Sequence, residues 1–255
     1  MRIAFSSLAC PGWTVEQIAG AARRYGYDAI EWRLADGHLL SPKTPDAVWE
    51  RIATCGVPTV CLDTSAVFVQ ALDADRAQAI AHAKVMGKRA SQIGAPAIRV
   101  FGGAIPDGLS FAHILEPTRR ALTKTCESIP DDVACLIETH DSWSKGSDVA
   151  SLIKGLGGLG VLWDVAHTWR SGESPRETLA AIGVPGLVHV KDADGAKLVH
   201  LGEGTVPLPE IVDALRDAGY DGALSLEWEK LWHPDLDEPD VVLPRAIDHL
   251  RALLS

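Results

Sequence analysis

Gly155-Leu156-Gly157-Gly158-Leu159-Gly160-Val161-Leu162-Trp163-Asp164 is the stretch on which the fold turns. Its first six residues read as G-x-G-x-x-G, the spacing of a dinucleotide-binding loop. Such a loop must follow a strand and open a helix, because the phosphates rest on the helix N-terminus. Here the order is reversed. The glycines follow a helical pattern and lead into the apolar strand Val161-Leu162-Trp163. They read as a flexible helix-to-strand turn. The open, doubly wound sheet thereby loses its best argument.

Outward from this stretch the same unit recurs. A short run rich in β-branched and aromatic residues leads to a polar residue, then a loop, then a helix that stops at Gly. The runs are Arg2–Ser7, Ala29–Arg33, Thr59–Thr64, Ala97–Phe101, Cys135–His140, Val161–His167, Gly186–Lys191 and Ala223–Glu229. Their spacing, roughly 25–40 residues, is that of a strand–helix unit. Thr14-Val15-Glu16-Gln17 and Ser174-Pro175-Arg176-Glu177 have the form of capping boxes. Thr44-Pro45 and Leu208-Pro209 place Pro at a first helical position, and Gly26, Gly56, Gly94, Gly183 and Gly219 stand where helices should stop. No linker divides the chain. Eight such units predict a single-domain (β/α)₈ barrel over residues 1–255.

The last four runs end alike: Ile137-Glu138-Thr139-His140, Trp163-Asp164-Val165, Val188-His189-Val190-Lys191-Asp192 and Ser225-Leu226-Glu227-Trp228-Glu229. Strand side chains alternate between faces. If Ile137, Val161, Trp163, Val165, Val188, Val190, Leu224 and Leu226 face the helices, then Glu138, Asp164, His189 and Glu227 face the axis. All four stand at the C-terminal ends of neighbouring strands, where barrel active sites form. Three carboxylates packed there repel one another, and a divalent cation resolves the conflict. Three oxygens with one imidazole suit Mn²⁺, Co²⁺, Mg²⁺ or Zn²⁺; the ion expected here is Mn²⁺, with the others as alternatives.

Composition sets the outer bounds. The formal net charge of −10 disfavours a phosphate backbone, so nucleic acid is not an expected partner. No apolar run is long enough for a bilayer, and the five cysteines, odd in number and without C-x-x-C spacing, read as reduced thiols. The expected setting is cytoplasmic.

Gly26-Tyr27-Asp28-Ala29-Ile30-Glu31-Trp32-Arg33, Ile137-Glu138-Thr139, Asp164-Val165-Ala166-His167, His189-Val190-Lys191-Asp192, Leu201-Gly202-Glu203-Gly204 and Ser225-Leu226-Glu227 occur in this order. With them the chain resembles the xylose-isomerase-like superfamily of sugar isomerases and epimerases. That superfamily includes ketose 3-epimerases and inosose isomerases and dehydratases, and more distantly apurinic endonucleases. The resemblance implies one divalent metal on Glu138, Asp164, His189 and Glu227. It implies acid/base roles for Glu138 and Glu227, substrate contact by His167, and a basic helper, Lys191 or Lys197. It also implies a sugar or polyol-derived substrate and a homo-oligomeric habit. The Arg common in epimerases has no evident counterpart, and the fuller three-zinc ligand set of the endonucleases cannot be placed here.

The expected reaction is isomerisation or epimerisation through an enediolate stabilised by the metal. His167, His140 and Lys191 would hold hydroxyls or the oxyanion. A dehydratase on the same scaffold and a non-catalytic sugar- or metal-binding barrel are the alternatives. Glu31 or Arg33 at the second strand, and Arg99 on the fourth, are further candidates for substrate hydroxyls. Glu229 shares the inward parity of Glu227 and is expected to orient a ligand or bind substrate. Trp13, Trp32, Trp143, Trp169, Trp228 and Trp232 follow expected strand ends, where aromatic faces could pack on a sugar. Gly102-Gly103 and Gly202-Glu203-Gly204-Thr205 lie in expected mouth loops, the latter at a usual phosphate position that Glu203 disfavours. Asp192 is expected to cap the following loop.

Overall fold

Runs of Val, Ile, Leu and Ala alternate with small or polar residues along eight short strands, which pair in parallel and close on themselves. In the computed structural model, which describes residues 1–255, they are β1 (Arg2–Ser6), β2 (Ala29–Arg33), β3 (Thr59–Val67), β4 (Ala97–Phe101), β5 (Ala134–Glu138), β6 (Leu159–Asp164), β7 (Leu187–Val190) and β10 (Ala223–Leu226). β1 joins β10, and β10 lies between β1 and β7, which completes the ring. The (β/α)₈ barrel is therefore present as a single domain. Between β7 and β10 an antiparallel hairpin, β8 (Asp192–Asp194) and β9 (Lys197–Val199), stands outside the ring. Its two-residue turn is Gly195-Ala196, with Gly195 at positive φ.

Two layers fill the barrel. The lower one is apolar: Ala4, Ala29, Val60, Cys61, Ala97, Leu136, Leu162, Leu187 and Ala223, at least one from each strand. Two residues further along come Ser6, Glu31, Asp63, Arg99, Glu138, Asp164, His189 and Ser225, all buried. Period-two alternation puts each polar residue above its apolar partner on the same face. The opposite faces carry Ile30, Trp32, Leu62, Ile98, Val100, Ile137, Trp163, Val188 and Leu224, which join the main core beneath the helices.

The helices are α1 (Val15–Tyr25), α2 (Asp46–Thr54), α3 (Asp73–Gln92), α4 (Phe111–Ser128), α5 (Gly146–Ile153), α6 (Val165–Arg170), α7 (Pro175–Ile182), α8 (Leu208–Asp217) and α9 (Pro239–Leu254). Both expected capping boxes form, at α1 and α7. All five helix-stopping glycines adopt positive φ. Pro45 caps α2 from outside, and Pro209 is the second residue of α8, so neither opens its helix as the sequence suggested. The sixth strand also ends early. Asp164 caps α6, so Val165 begins a helix and has no strand face. All five cysteines are free, and no helix is long and apolar enough to cross a membrane.

Candidate metal centre

Each of the four sequence-expected ligands comes from a strand end. Glu138 and Asp164 are the last residues of β5 and β6, His189 lies in β7, and Glu227 follows β10. One donor atom from each lies within 4.8 Å of the others, and all four residues are buried. Glu138 Oε2, Asp164 Oδ2 and His189 Nδ1 have no hydrogen-bond partner. Arg99 and Lys191 stand near the first two, but buried polar atoms without aligned hydrogen bonds cost stability, and the cluster has room to gain from a further partner. A divalent cation fits this set of three carboxylates and one imidazole.

Local structure aims each group. Asp164 Oδ1 accepts the backbone N–H groups of Ala166 (3.0 Å) and His167 (2.9 Å), which turns Oδ2 inward. His189 Nε2 lies 2.6 Å from Glu31 Oε1, while Nδ1 stands 3.6 Å from Glu138 Oε1 and 3.5 Å from Glu227 Oε1. Lys191 Nζ contacts Asp164 Oδ2 at 2.8 Å, Glu227 Oε2 at 2.6 Å and Glu229 Oε1 at 2.7 Å. Arg99 Nη1 approaches Glu138 Oε2 at 3.0 Å without the alignment of a hydrogen bond, and its Nη2 is 3.6 Å from Asp63 Oδ2.

These contacts govern ionisation. Burial alone would raise the buried carboxyls. Against it, Arg99 and His189 hold Glu138 below the usual range, and Lys191 and His189 hold Glu227 well below it. Burial opposes charge on Lys191 too, yet Asp164, Glu227 and Glu229 keep its ammonium well above its ordinary value. His189 is raised in the same way against burial, chiefly by Glu31. Asp63 goes the other way: burial and the neighbouring Glu31 push its carboxyl well up.

The sequence-expected substrate groups fall into two sets. His140 and His167 flank the ligand cluster, with ring centroids 4.4 Å apart, and His140 also meets Phe101 at 4.8 Å. Asp141 takes φ 52°, the only positive value outside glycine, and puts Oδ2 at 3.1 Å from His140 Nδ1. This contact lifts the His140 imidazole despite burial, while burial lowers His167. With Lys191 and Glu229 these residues make up the polar surround of the centre. Glu31 and Arg99, expected at substrate hydroxyls, are 0% and 1% exposed and engaged with His189, Glu138 and Asp63. Arg33 is turned onto the carbonyls of Leu34 and Thr64 and onto Ser65 Oγ.

Among the tryptophans only Trp169 and Trp232 are well exposed, at 36% and 49%. Trp32 is buried with its Nε1 on Thr59, Trp143 lies against Gly102, and Trp228 stacks on His200. Trp13, half-buried, lines a surface groove beside Arg24 and Asp240. Lys197 is exposed on the outer hairpin. Asp192 accepts N–H groups from Ala193, Gly202, Gly204 and Val206, the capping role expected of it. Asp63 was missed. It shares the parity of Cys61, so the alternation that found Glu138 would have found it.

The family model described as xylose isomerase-like TIM barrel matches residues 19–253. A fructoselysine 3-epimerase of Escherichia coli O157:H7 is 35% identical over 69 residues, 26% of this chain and 24% of that protein. The match thus spans about a quarter of that relative's length. Among solved structures, a D-tagatose 3-epimerase-like protein aligns with a TM-score of 0.82 at 19% identity, over 100% of this chain and 97% of its own. The IolI protein with a bound zinc atom aligns with a TM-score of 0.78 at 15% identity, over 100% of this chain and 96% of its own. At such identities the likeness is one of fold.

Proposed function

This chain belongs to the xylose isomerase-like TIM barrel family, and from that membership we propose that it is an isomerase or epimerase of a small polyhydroxy ketone or aldehyde, working with one divalent metal ion. The observation that carries the reading is the convergence of the buried Glu138, Asp164, His189 and Glu227, each with a donor atom within 4.8 Å of the others. Mn²⁺ is the ion to supply first, with Zn²⁺, Co²⁺ and Mg²⁺ as alternatives that the same oxygen and imidazole donors accept. Once bound, the ion would polarise a substrate carbonyl and acidify the neighbouring C–H.

The chain's own groups supply the rest. Glu138 and Glu227 come from strands on opposite sides of β6 and β7, so a substrate between them has a carboxylate on each flank. One takes the α-carbon proton and the other returns a proton on the opposite face or the adjacent carbon. Glu138 is held ionised by Arg99 and His189, and Glu227 by Lys191 and His189, so either can begin as base. The Lys191 ammonium is placed to hold developing negative charge on oxygen, and His140 and His167 are placed to bind hydroxyls.

The test is proton exchange in D₂O across a panel of ketoses and inososes, with protein supplied with each metal. The expected result is deuterium at the carbon next to the carbonyl and a product otherwise unchanged in mass, both lost in Glu138→Gln. Loss of water from the product would move the assignment to a dehydratase. A protein that takes up no divalent ion would overturn the reading.

A further inference from the structure

Glu31 and His189 lie 158 positions apart on strands that do not touch, yet their side chains meet at 2.6 Å. β10 and β1 stand between them in the ring. On those two strands the polar layer is only serine: Ser225 beside His189 and Ser6 beside Glu31. Larger side chains there would fill the path that Glu31 takes across the barrel. Glu31 and His189 are both 0% exposed, so Glu31 has no surface to offer a substrate.

A histidine that binds a metal through one ring nitrogen must keep its proton on the other, and an acceptor there fixes tautomer and ring orientation. Glu31 Oε1 is that acceptor for Nε2, and it leaves Nδ1 facing Glu138 and Glu227. Behind it, Glu31, Asp63 and His189 place donor atoms within 4.8 Å of one another. Glu31 Oε2 and both Asp63 oxygens have no hydrogen-bond partner. Asp63 thus stands directly behind Glu31, and Arg99 Nη2 lies 3.6 Å beyond.

We propose that Glu31 is a positioning residue, backed by Asp63, that holds His189 with Nδ1 toward the metal and so sets how tightly the ion is bound. The inference rests on the metal reading given above and assigns Glu31 a role other than substrate contact.

Metal affinity and nitrogen chemical shifts test it without recourse to turnover. Competition with a chelator measures Zn²⁺ affinity for wild type, Glu31→Leu, Glu31→Gln and Asp63→Asn, each checked for a wild-type melting transition. Glu31→Leu should bind about 10–100-fold more weakly. Glu31→Gln keeps a carbonyl acceptor, and Asp63→Asn keeps a polar side chain of the same size behind it, so both should remain nearer wild type. Zinc-loaded wild type with ¹⁵N-labelled histidine should show His189 protonated at Nε2 and metal-bound at Nδ1. This measurement needs no variant. The opposite tautomer, or undiminished affinity in Glu31→Leu, would overturn the inference and leave the metal site standing. A wild type that binds no zinc would instead sink the metal reading on which it rests.

Discussion

Lys191 Nζ lies 2.6 Å from Glu227 Oε2, so the buried carboxylate that follows β10 is paired with a cation that sits two residues beyond His189. The same ammonium reaches Asp164 and Glu229. One lysine thus bridges three carboxylates that the barrel brings together.

Lys191→Met should therefore leave those carboxylates facing one another. Removing one partner of a buried ion pair costs about 3–5 kcal/mol. Thermal melting in chelator should show that loss, and added Mn²⁺ should restore most of it, because Asp164 and Glu227 regain a cation. Equal melting of mutant and wild type in chelator would mean that the contacts contribute nothing.

Glu138→Gln and Glu227→Gln should each lower kcat by about 10²–10⁴-fold, the usual worth of a positioned acid or base. Steady-state assay against the substrate identified by deuterium exchange reads this directly. Near-normal turnover in both would exclude the two-carboxylate mechanism.

Asp192 gathers four backbone donors, Ala193 and Val206 on Oδ1 and Gly202 and Gly204 on Oδ2, all at 2.8–3.0 Å. Asp192→Ala should cost about 3–5 kcal/mol, since hydrogen bonds to a charged group contribute about 1.5–3 kcal/mol each and do not add fully. Asp192→Asn keeps one acceptor oxygen and should fall between. Urea midpoints will rank the three proteins, and an alanine variant as stable as wild type would refute the loop-holding role.

Burial and the nearby Arg33 bring the His38 imidazole down to about 4, from an ordinary 6.5. Between these values the unfolded chain binds a proton that the folded chain does not. Its stability cost is thus absent above pH 6.5 and grows as pH falls toward 4, reaching about 3 kcal/mol at most. His38→Leu removes this term. Unfolding free energies of the two proteins, measured from pH 7.5 to 4.5, should diverge in favour of the variant on the acid side. Parallel curves would clear His38 of the effect.

Alternation made much of this legible in the chain itself. Glu138, Asp164 and His189 follow from period two once the barrel is assumed, and Asp63 obeys the same rule. Glu227 was found by the same parity, although its strand stops one residue earlier. The depth of Glu31 was not legible. It depends on the small size of Ser6 and Ser225 on two other strands, a property of the closed ring and not of β2. Val165 was misplaced because the Asp164 carboxylate can end a strand and start a helix at once. The triple pairing of Lys191 depends on the reach of a long side chain, which strand parity does not encode.

The divided carboxylate of Asp164 has a consequence for coordination number. Many metal enzymes change the number of ligands during turnover by a carboxylate shift, in which one side chain slides between one-oxygen and two-oxygen binding. Asp164 has no such freedom, because Oδ1 is committed to the amides of Ala166 and His167. Towards an ion held here Asp164 would turn Oδ2, its other oxygen being held by the backbone. Glu138 and Glu227, whose carboxylates accept no backbone N–H, are the ligands left free to adjust.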